Sequence, residues 1–227
     1  MVRISDRLRT VAHMCEKGAV VADIGTDHGY LPIYLVQEGI ARSAIAMDLR
    51  KGPLDKAKKH ICDNCLEDRI QTRLSDGLEK LSANEADIIT ICGMGGRLIA
   101  DIVTKGMNVI TQNTTLIVSP QSEVGDFRHF LVSQMLKEDG KYYFIIKCRK
   151  SDENVYSEYS ETQYQYGWKL LENKDKTLYE YLIKEKETND GISNSLKKDE
   201  SNPTVKLRLQ QLSQKNNIIM DALSYYD

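Results

Sequence analysis

Ala19-Val20-Val21-Ala22-Asp23-Ile24-Gly25-Thr26-Asp27-His28-Gly29 decides the fold. A short apolar run stops at Gly25, and a polar loop follows. This is the pattern of a parallel strand buried on both faces and ending in a turn. Upstream, Ser5 is placed to cap a helix whose inner face carries Leu8, Val11, Ala12 and Cys15, with Gly18 ending it. Downstream, the spacing predicts a helix over Leu31–Glu38, stopped by Gly39.

The unit then repeats. Ala44-Ile45-Ala46-Met47 reads as a second strand ending at Asp48. Pro53 is placed to start a helix with Leu54, Ala57, Ile61 and Cys62 inward. Further strands are expected at Ile70–Leu74, Ala86–Cys92 and Thr115–Ser119, with a helix between the last two, running from Gly96 to about Lys105. Strands alternating with helices predict an α/β domain built on a mostly parallel sheet. Glu138-Asp139-Gly140-Lys141 is a hairpin signal between Gln134–Lys137 and Tyr142–Cys148. The sheet is therefore expected to end in an antiparallel pair whose first strand is stunted.

From Ser151 the composition turns to Tyr, Glu and Lys, which predicts domains at 1–150 and 151–227. Leu170, Leu171, Leu178 and Leu182 suggest one helix. Val205, Leu209, Leu212, Asn216, Ile219 and Leu223 form a heptad seam with one polar member on a second. A polar loop around Asn189–Pro203 would join them into an antiparallel hairpin. An RNA-facing arm, a dimer contact and a plain packing arm all fit it.

Composition excludes several classes. The chain has 227 residues, 41% of them hydrophobic and 28% charged, which suits a soluble globular protein and not a disordered one. No apolar run reaches membrane-spanning length, and MVRISDRLRT has no signal-peptide core. Five scattered cysteines read as reduced thiols in a cytoplasmic protein. Cys62-x-x-Cys65 lacks a second ligand pair, so no metal site is expected, and both thiols read as core-facing. The net charge of −2 divides into +2 over residues 1–150 and −4 beyond, so bulk attraction to nucleic acid is excluded. The basic residues bunch instead, at Arg3, Arg7 and Arg9, at Lys51, Lys56, Lys58 and Lys59, and at Lys147, Arg149 and Lys150.

In an open α/β sheet, ligands bind at the C-terminal ends of the strands. Four such ends are chemically equipped here. Gly25 allows a tight turn with exposed amides, and Asp23 can fix that loop. Asp48, at the end of the second strand, is placed to accept both ribose hydroxyls of a nucleoside cofactor. Asp76-Gly77 can meet an adenine amino group. Gly93-Met94-Gly95 flanks the reacting end of the pocket. A dinucleotide loop wants a glycine where Asp27 stands, and a carboxylate there repels a pyrophosphate. An anionic loop suits a cofactor with cationic groups, such as the sulfonium and ammonium of S-adenosylmethionine.

The chain resembles the TrmK family, the bacterial tRNA (adenine-22-N1) methyltransferases. The resemblance lies in Ser5-Asp6-Arg7-Leu8-Arg9-Thr10-Val11, in Gly18 through Pro32 with its Asp23-Ile24-Gly25-Thr26-Asp27-His28-Gly29-Tyr30-Leu31-Pro32, in Gly52-Pro53-Leu54, in Asp76-Gly77-Leu78 and in Ile91-Cys92-Gly93-Met94-Gly95-Gly96. It implies a class I methyltransferase domain followed by a helical, coiled-coil-like domain. It also implies S-adenosyl-L-methionine as cofactor and tRNA as partner. No membrane partner is expected, and the chain is expected to be a monomer. Two departures stand out. Ser119-Pro120-Gln121 replaces the family's Gln-Pro-Asn, and the stretch between Phe130-Leu131 and Met135-Leu136 is shorter than the family norm.

Methyl transfer to adenine N1, the reaction so implied, needs positioning and charge control more than proton abstraction. The methylated ring is cationic, so a nearby carboxylate helps. Asp27 is the candidate, with His28 beside it; both also belong to the cofactor-binding loop. Tyr30 can stack on the base. Each has a plainer reading: Asp27 as helix cap, His28 as a satisfied hydrogen-bonding residue, Tyr30 as core. Arg7 and Arg9 are the expected RNA contacts. The absence of an Asp/Asn-Pro-Pro-Tyr/Phe tetrapeptide disfavours an exocyclic amine acceptor. Two other functions fit the residues: a small-molecule methyltransferase with the C-terminal helices as a lid, and an RNA-binding module that has lost its cofactor.

Overall fold

A computed structural model describes residues 2–127, 132–138, 141–149, 159–197 and 201–227. The predicted 150/151 boundary and the Asp139-Gly140 turn lie outside these residues. By its internal contacts the chain divides into two units, Met1–Val155 and Tyr156–Asp227.

The first unit runs α1 (Asp6–Met14), β1 (Ala19–Ile24), α2 (Tyr30–Gln37), β2 (Ala41–Asp48), α3 (Lys51–Asp63), β3 (Ile70–Leu74), β4 (Ile88–Cys92), α4 (Gly96–Lys105), β5 (Thr115–Ser119), the single turn α5 (Val124–Phe127), β6 (Val132–Glu138) and β7 (Lys141–Arg149). The sheet order is β3-β2-β1-β4-β5-β7-β6. The first five strands in that order pair in parallel; β7 is antiparallel to both β5 and β6. The α/β class, the parallel sheet and the antiparallel ending are as expected. β6 is not stunted, because it pairs with β7 from Val132↔Lys147 to Glu138↔Lys141.

Alternation along the strands feeds two cores. Val21, Ala44, Ala46, Ile70 and Ile88 pack under α1, α2 and α3 with Val11, Leu35 and Ile61. Ala22, Ile45, Met47, Ile89 and Ile91 face the other way, onto Ile99 and Ile102 of α4. Both sheet faces are covered, which is why the parallel strands read as unbroken apolar runs.

Local chemistry sets the element ends. The Ser5 hydroxyl accepts from the Leu8 amide at 3.3 Å, capping α1. Gly39, at φ 64°, follows the end of α2. α3 begins two residues before Pro53, and Cys62 is exposed, as is Cys65. Cys62 lies about 100° round the helix from Ile61, past the buried arc of Leu54, Ala57 and Ile61. Both thiols therefore depart from their core-facing reading. All five cysteines are free, and burial pushes the Cys15 thiol up to about 12, which keeps it protonated.

Among its described residues the second unit has four helices where two were expected: α6 (Glu161–Tyr166), α7 (Trp168–Glu172), α8 (Lys176–Leu196) and α9 (Pro203–Ser224). Gly167, at φ 87°, separates the first two, and Ser160 with Gln163 forms a capping box on α6. The Asp175 carboxylate caps α8 by accepting from the Leu178 amide at 2.8 Å. α8 continues to Leu196, into the stretch read as loop, where its polar residues find partners. Asn189 donates to Asn216 at 3.1 Å, and Asn216 donates to Asp190 at 2.8 Å. Leu212 and Ile219 of the heptad seam are buried, with Asn216 half-buried between them.

Candidate functional site

The loops after β1, β2, β3 and β4 enclose a cleft of about 550 Å³. Its wall includes Asp23, Gly25, Asp27, His28 and Tyr30 from the first loop and the start of α2. Asp48, Asp76, Gly77, Gly93 and Met94 supply the other three loops, and Arg7 closes one side. Residues from Arg7 to Gln121 thus meet in one place, as the strand-end argument required. Two expected residues are not in the wall. Gly95 is the N-cap of α4 and bridges to Ser122. Arg9 is exposed and paired with Asp6 on its own helix.

The first loop is fastened to β2. The amides of Gly25 and Thr26 both donate to the Met47 carbonyl, at 2.8 and 2.9 Å. The Asp27 amide donates to the Asp48 carboxylate at 3.2 Å. The amides expected to be exposed are therefore spent on β2. What Gly25 supplies is the left-handed turn, at φ 71°, and a bare Cα facing Met94, whose Cε would sit 2.1 Å from an added Cβ.

Asp48 is buried to 5% exposure yet lines the cleft. One carboxylate oxygen accepts from Asp27 and the other from the Arg50 amide at 2.9 Å. Each oxygen keeps a second lone pair for a ligand hydroxyl. Asp23 is buried deeper and accepts from the Thr90 hydroxyl at 2.7 Å. Burial raises its pKa from 3.8 to about 6 against that hydrogen bond, with Asp48 adding to the rise and Arg7 opposing it.

The rim is aromatic and acidic. Asp27 sits at φ 51° with its carboxylate exposed, 3.5 Å from His28 Nε2. It does not cap α2; Gly29 holds that position. Tyr30 is 41% exposed and is not a core residue. The Tyr30 ring stacks on His28 at 5.4 Å and on His60 of α3 at 5.2 Å. Arg7 lies with its guanidinium carbon 5.4 Å from the centre of the Tyr143 ring.

Sequence reasoning missed part of the wall: Leu49, Arg50, Ser75, Leu98, Ile102 and Gln121. Leu49 and Leu98 are 62% and 52% exposed; a leucine directly after the strand-end Asp48 was the available signal for Leu49, and Leu98, inside α4, carried none. The volume lies within the roughly 300–1,000 Å³ of small-molecule sites. Acids for hydroxyls and cations, with apolar walls for a flat ring, fit S-adenosylmethionine. Among the described residues no cluster of three or more His, Cys, Asp or Glu is gathered for a metal ion.

Comparison with known proteins agrees with this geometry. Residues 4–146 match the family described as methyltransferase domain. The chain is 39% identical over 162 residues to the Bacillus subtilis tRNA (adenine(22)-N(1))-methyltransferase, covering 68% of each chain. The crystal structure of B. subtilis TrmK superposes with a TM-score of 0.83 at 31% identity, covering 98% of this chain and 100% of that one. M. capricolum TrmK, solved with S-adenosyl-homocysteine, gives 0.79 at 30% identity and 98% of both chains. The match thus extends over the catalytic core and, in the structures, over the helical unit as well: the chain belongs to the TrmK family of tRNA (adenine-22-N1) methyltransferases.

Proposed function

We propose that this chain transfers a methyl group from S-adenosylmethionine to N1 of an adenine in tRNA, adenine 22 as in its B. subtilis relative's name. The carrying observation is that one cleft joins the buried Asp48 carboxylate to a rim of exposed Asp27 and Tyr30 with half-buried His28. The bound cofactor supplies an electrophilic methyl group on a sulfonium.

Asp48 would accept the ribose hydroxyls and Asp76 the adenine amino group. Leu49, Leu98 and Ile102 offer apolar surface to the ring, and Gly25, Gly77, Gly93 and Met94 form the close walls. Gly95 acts indirectly, by holding the start of α4. Asp23 places a charge under the loop that suits the cofactor's cations. Adenine N1 attacks with its own lone pair, so the enzyme orients it and manages charge. Tyr30 stacks on or orients the base. Asp27, with His28, stabilises the cationic ring that results. The adenine must leave its stack to arrive there. Arg7 from the cleft wall and Arg9 from the outer face of α1 would hold phosphates. One chain is the working unit, since it builds the whole cleft, and the cytoplasm is where its substrate lies. The pairing of β6 with β7 from Val132 to Glu138 speaks against a module that has lost its cofactor site.

Methylation of a total tRNA pool, followed by mapping of the modified nucleotide, tests the proposal. N1-methyladenosine at position 22 is the expected product. Modification at another nucleotide, or of small molecules only, would overturn it.

A further inference from the structure

Helix α3 carries charge that the methyl-transfer site does not use. Lys51, Lys56, Lys58 and Lys59 are all exposed. Among the described residues none of the four forms an ion pair, whereas Arg9, Arg73, Arg97 and Arg149 are each held by a carboxylate. A solvated lysine face is common, so position decides whether this one matters.

Its position is set by His60. The His60 ring stacks on Tyr30 at 5.2 Å and on His28 at 5.8 Å, both of which line the cleft. Its Nδ1 lies 3.0 Å from the His28 carbonyl oxygen. Lys56 is one turn before His60, about 40° further from the buried arc, and Lys59 about 60° beyond Lys56. Gly29 packs against Ala57, with an added Cβ only 3.1 Å from the alanine's, so this part of α3 is locked to the rim. A row of unpaired ammonium groups therefore starts where the aromatic rim ends.

We infer that the outer face of α3, through Lys56 and Lys59, is a phosphate track for the tRNA next to the nucleotide in the cleft. This rests on the tRNA reading above. The charge is complementary to a phosphodiester chain; Asp55 and Asp63, each one turn from Lys59, share that side of α3, and among the described residues neither forms an ion pair with Lys56 or Lys59. It also explains how a chain of net charge −2 holds an RNA: by a local row, not by its total.

The test uses the full chain and an unmodified tRNA transcript that it methylates. In Lys56→Ala/Lys59→Ala, the tRNA Kd should rise about tenfold at physiological salt, and the slope of log K against log salt should flatten by roughly 1.4–1.8, two phosphate contacts' worth. S-adenosylmethionine affinity and the single-turnover rate at saturating tRNA should stay unchanged, and Lys56→Arg/Lys59→Arg should bind like the parent. Lys17→Ala/Lys105→Ala removes equal charge and should leave the slope alone. An unchanged slope in the α3 variant, or an equal change in that control, overturns the inference while leaving the tRNA reading intact. A parent chain that binds S-adenosylmethionine but methylates no tRNA overturns both.

Discussion

Replacing Asp23 by Asn should make the protein more stable at neutral pH and a poorer cofactor binder. The carboxyl is 4% exposed, and burial lifts its pKa from 3.8 to about 6. The folded state therefore holds a proton over a pH range in which the unfolded chain has already released it. Stability from this group is complete below about pH 4 and is lost as pH rises through about 6. A shift of two units corresponds to about 3 kcal/mol of penalty at pH 7.5. Asn keeps an acceptor for the Thr90 hydroxyl and never ionises. The variant should be about equal to the parent, or slightly worse, at about pH 3, gain about 1 kcal/mol by pH 4.5 and up to about 3 kcal/mol by pH 8. Urea unfolding of both chains at half-unit steps reads this directly, because Asp48, Arg7 and the other titrating groups are common to the two. The function should move the other way. The ionised Asp23 attracts the cations of S-adenosylmethionine, so parent affinity should fall below about pH 6, and the variant's affinity should be weaker and flat with pH. A stability difference constant from pH 4.5 to 8 would refute the reasoning.

Asp27→Ala should leave S-adenosylmethionine affinity near normal and lower single-turnover methylation by roughly 100-fold or more, the scale of a lost charge-stabilising group; an unaffected rate would remove Asp27 from the mechanism. Gly29→Ala forces φ 75° on a residue with a Cβ and brings that atom 3.1 Å from the Ala57 Cβ. Chemical denaturation should show a loss of about 1–3 kcal/mol, and tRNA methylation should fall with the displaced His28 and Tyr30. Asn216→Ala removes the acceptor for the buried Asn189 amide and should cost about 1–3 kcal/mol in thermal or urea unfolding. Asn189→Leu with Asn216→Leu should recover that loss, and a double variant as unstable as the single would show that the pair contributes more than its own hydrogen bonds.

Much of the first unit was legible because its signals are local. Ala19–Ile24 is apolar on both faces, and the glycine-stopped loop after it marks a strand end. Asp23, Asp48 and Asp76 each follow or close such a run, so their convergence followed from the parallel sheet. The misreadings arise where an atom's partner lies elsewhere in the chain. Gly25 and Thr26 looked free to bind, yet Met47 takes both amides. Asn189 and its neighbours looked like loop, yet Asn216 and Asp190 satisfy one another across a helix pair.

The sequence by itself determined the alternation of strands and helices, the family and the four loops that carry chemistry. Each depends on hydrophobic period, glycine and charge at fixed spacing. Only the tertiary structure decided that Asp23 is buried deeply enough to resist ionisation, and that Arg9 is tied to Asp6 while Arg7 faces the cleft. It also brought His60, 30 residues downstream, to complete a ring stack with Tyr30. Burial, pairing and stacking depend on distances between segments, and periodicity along one segment does not encode them.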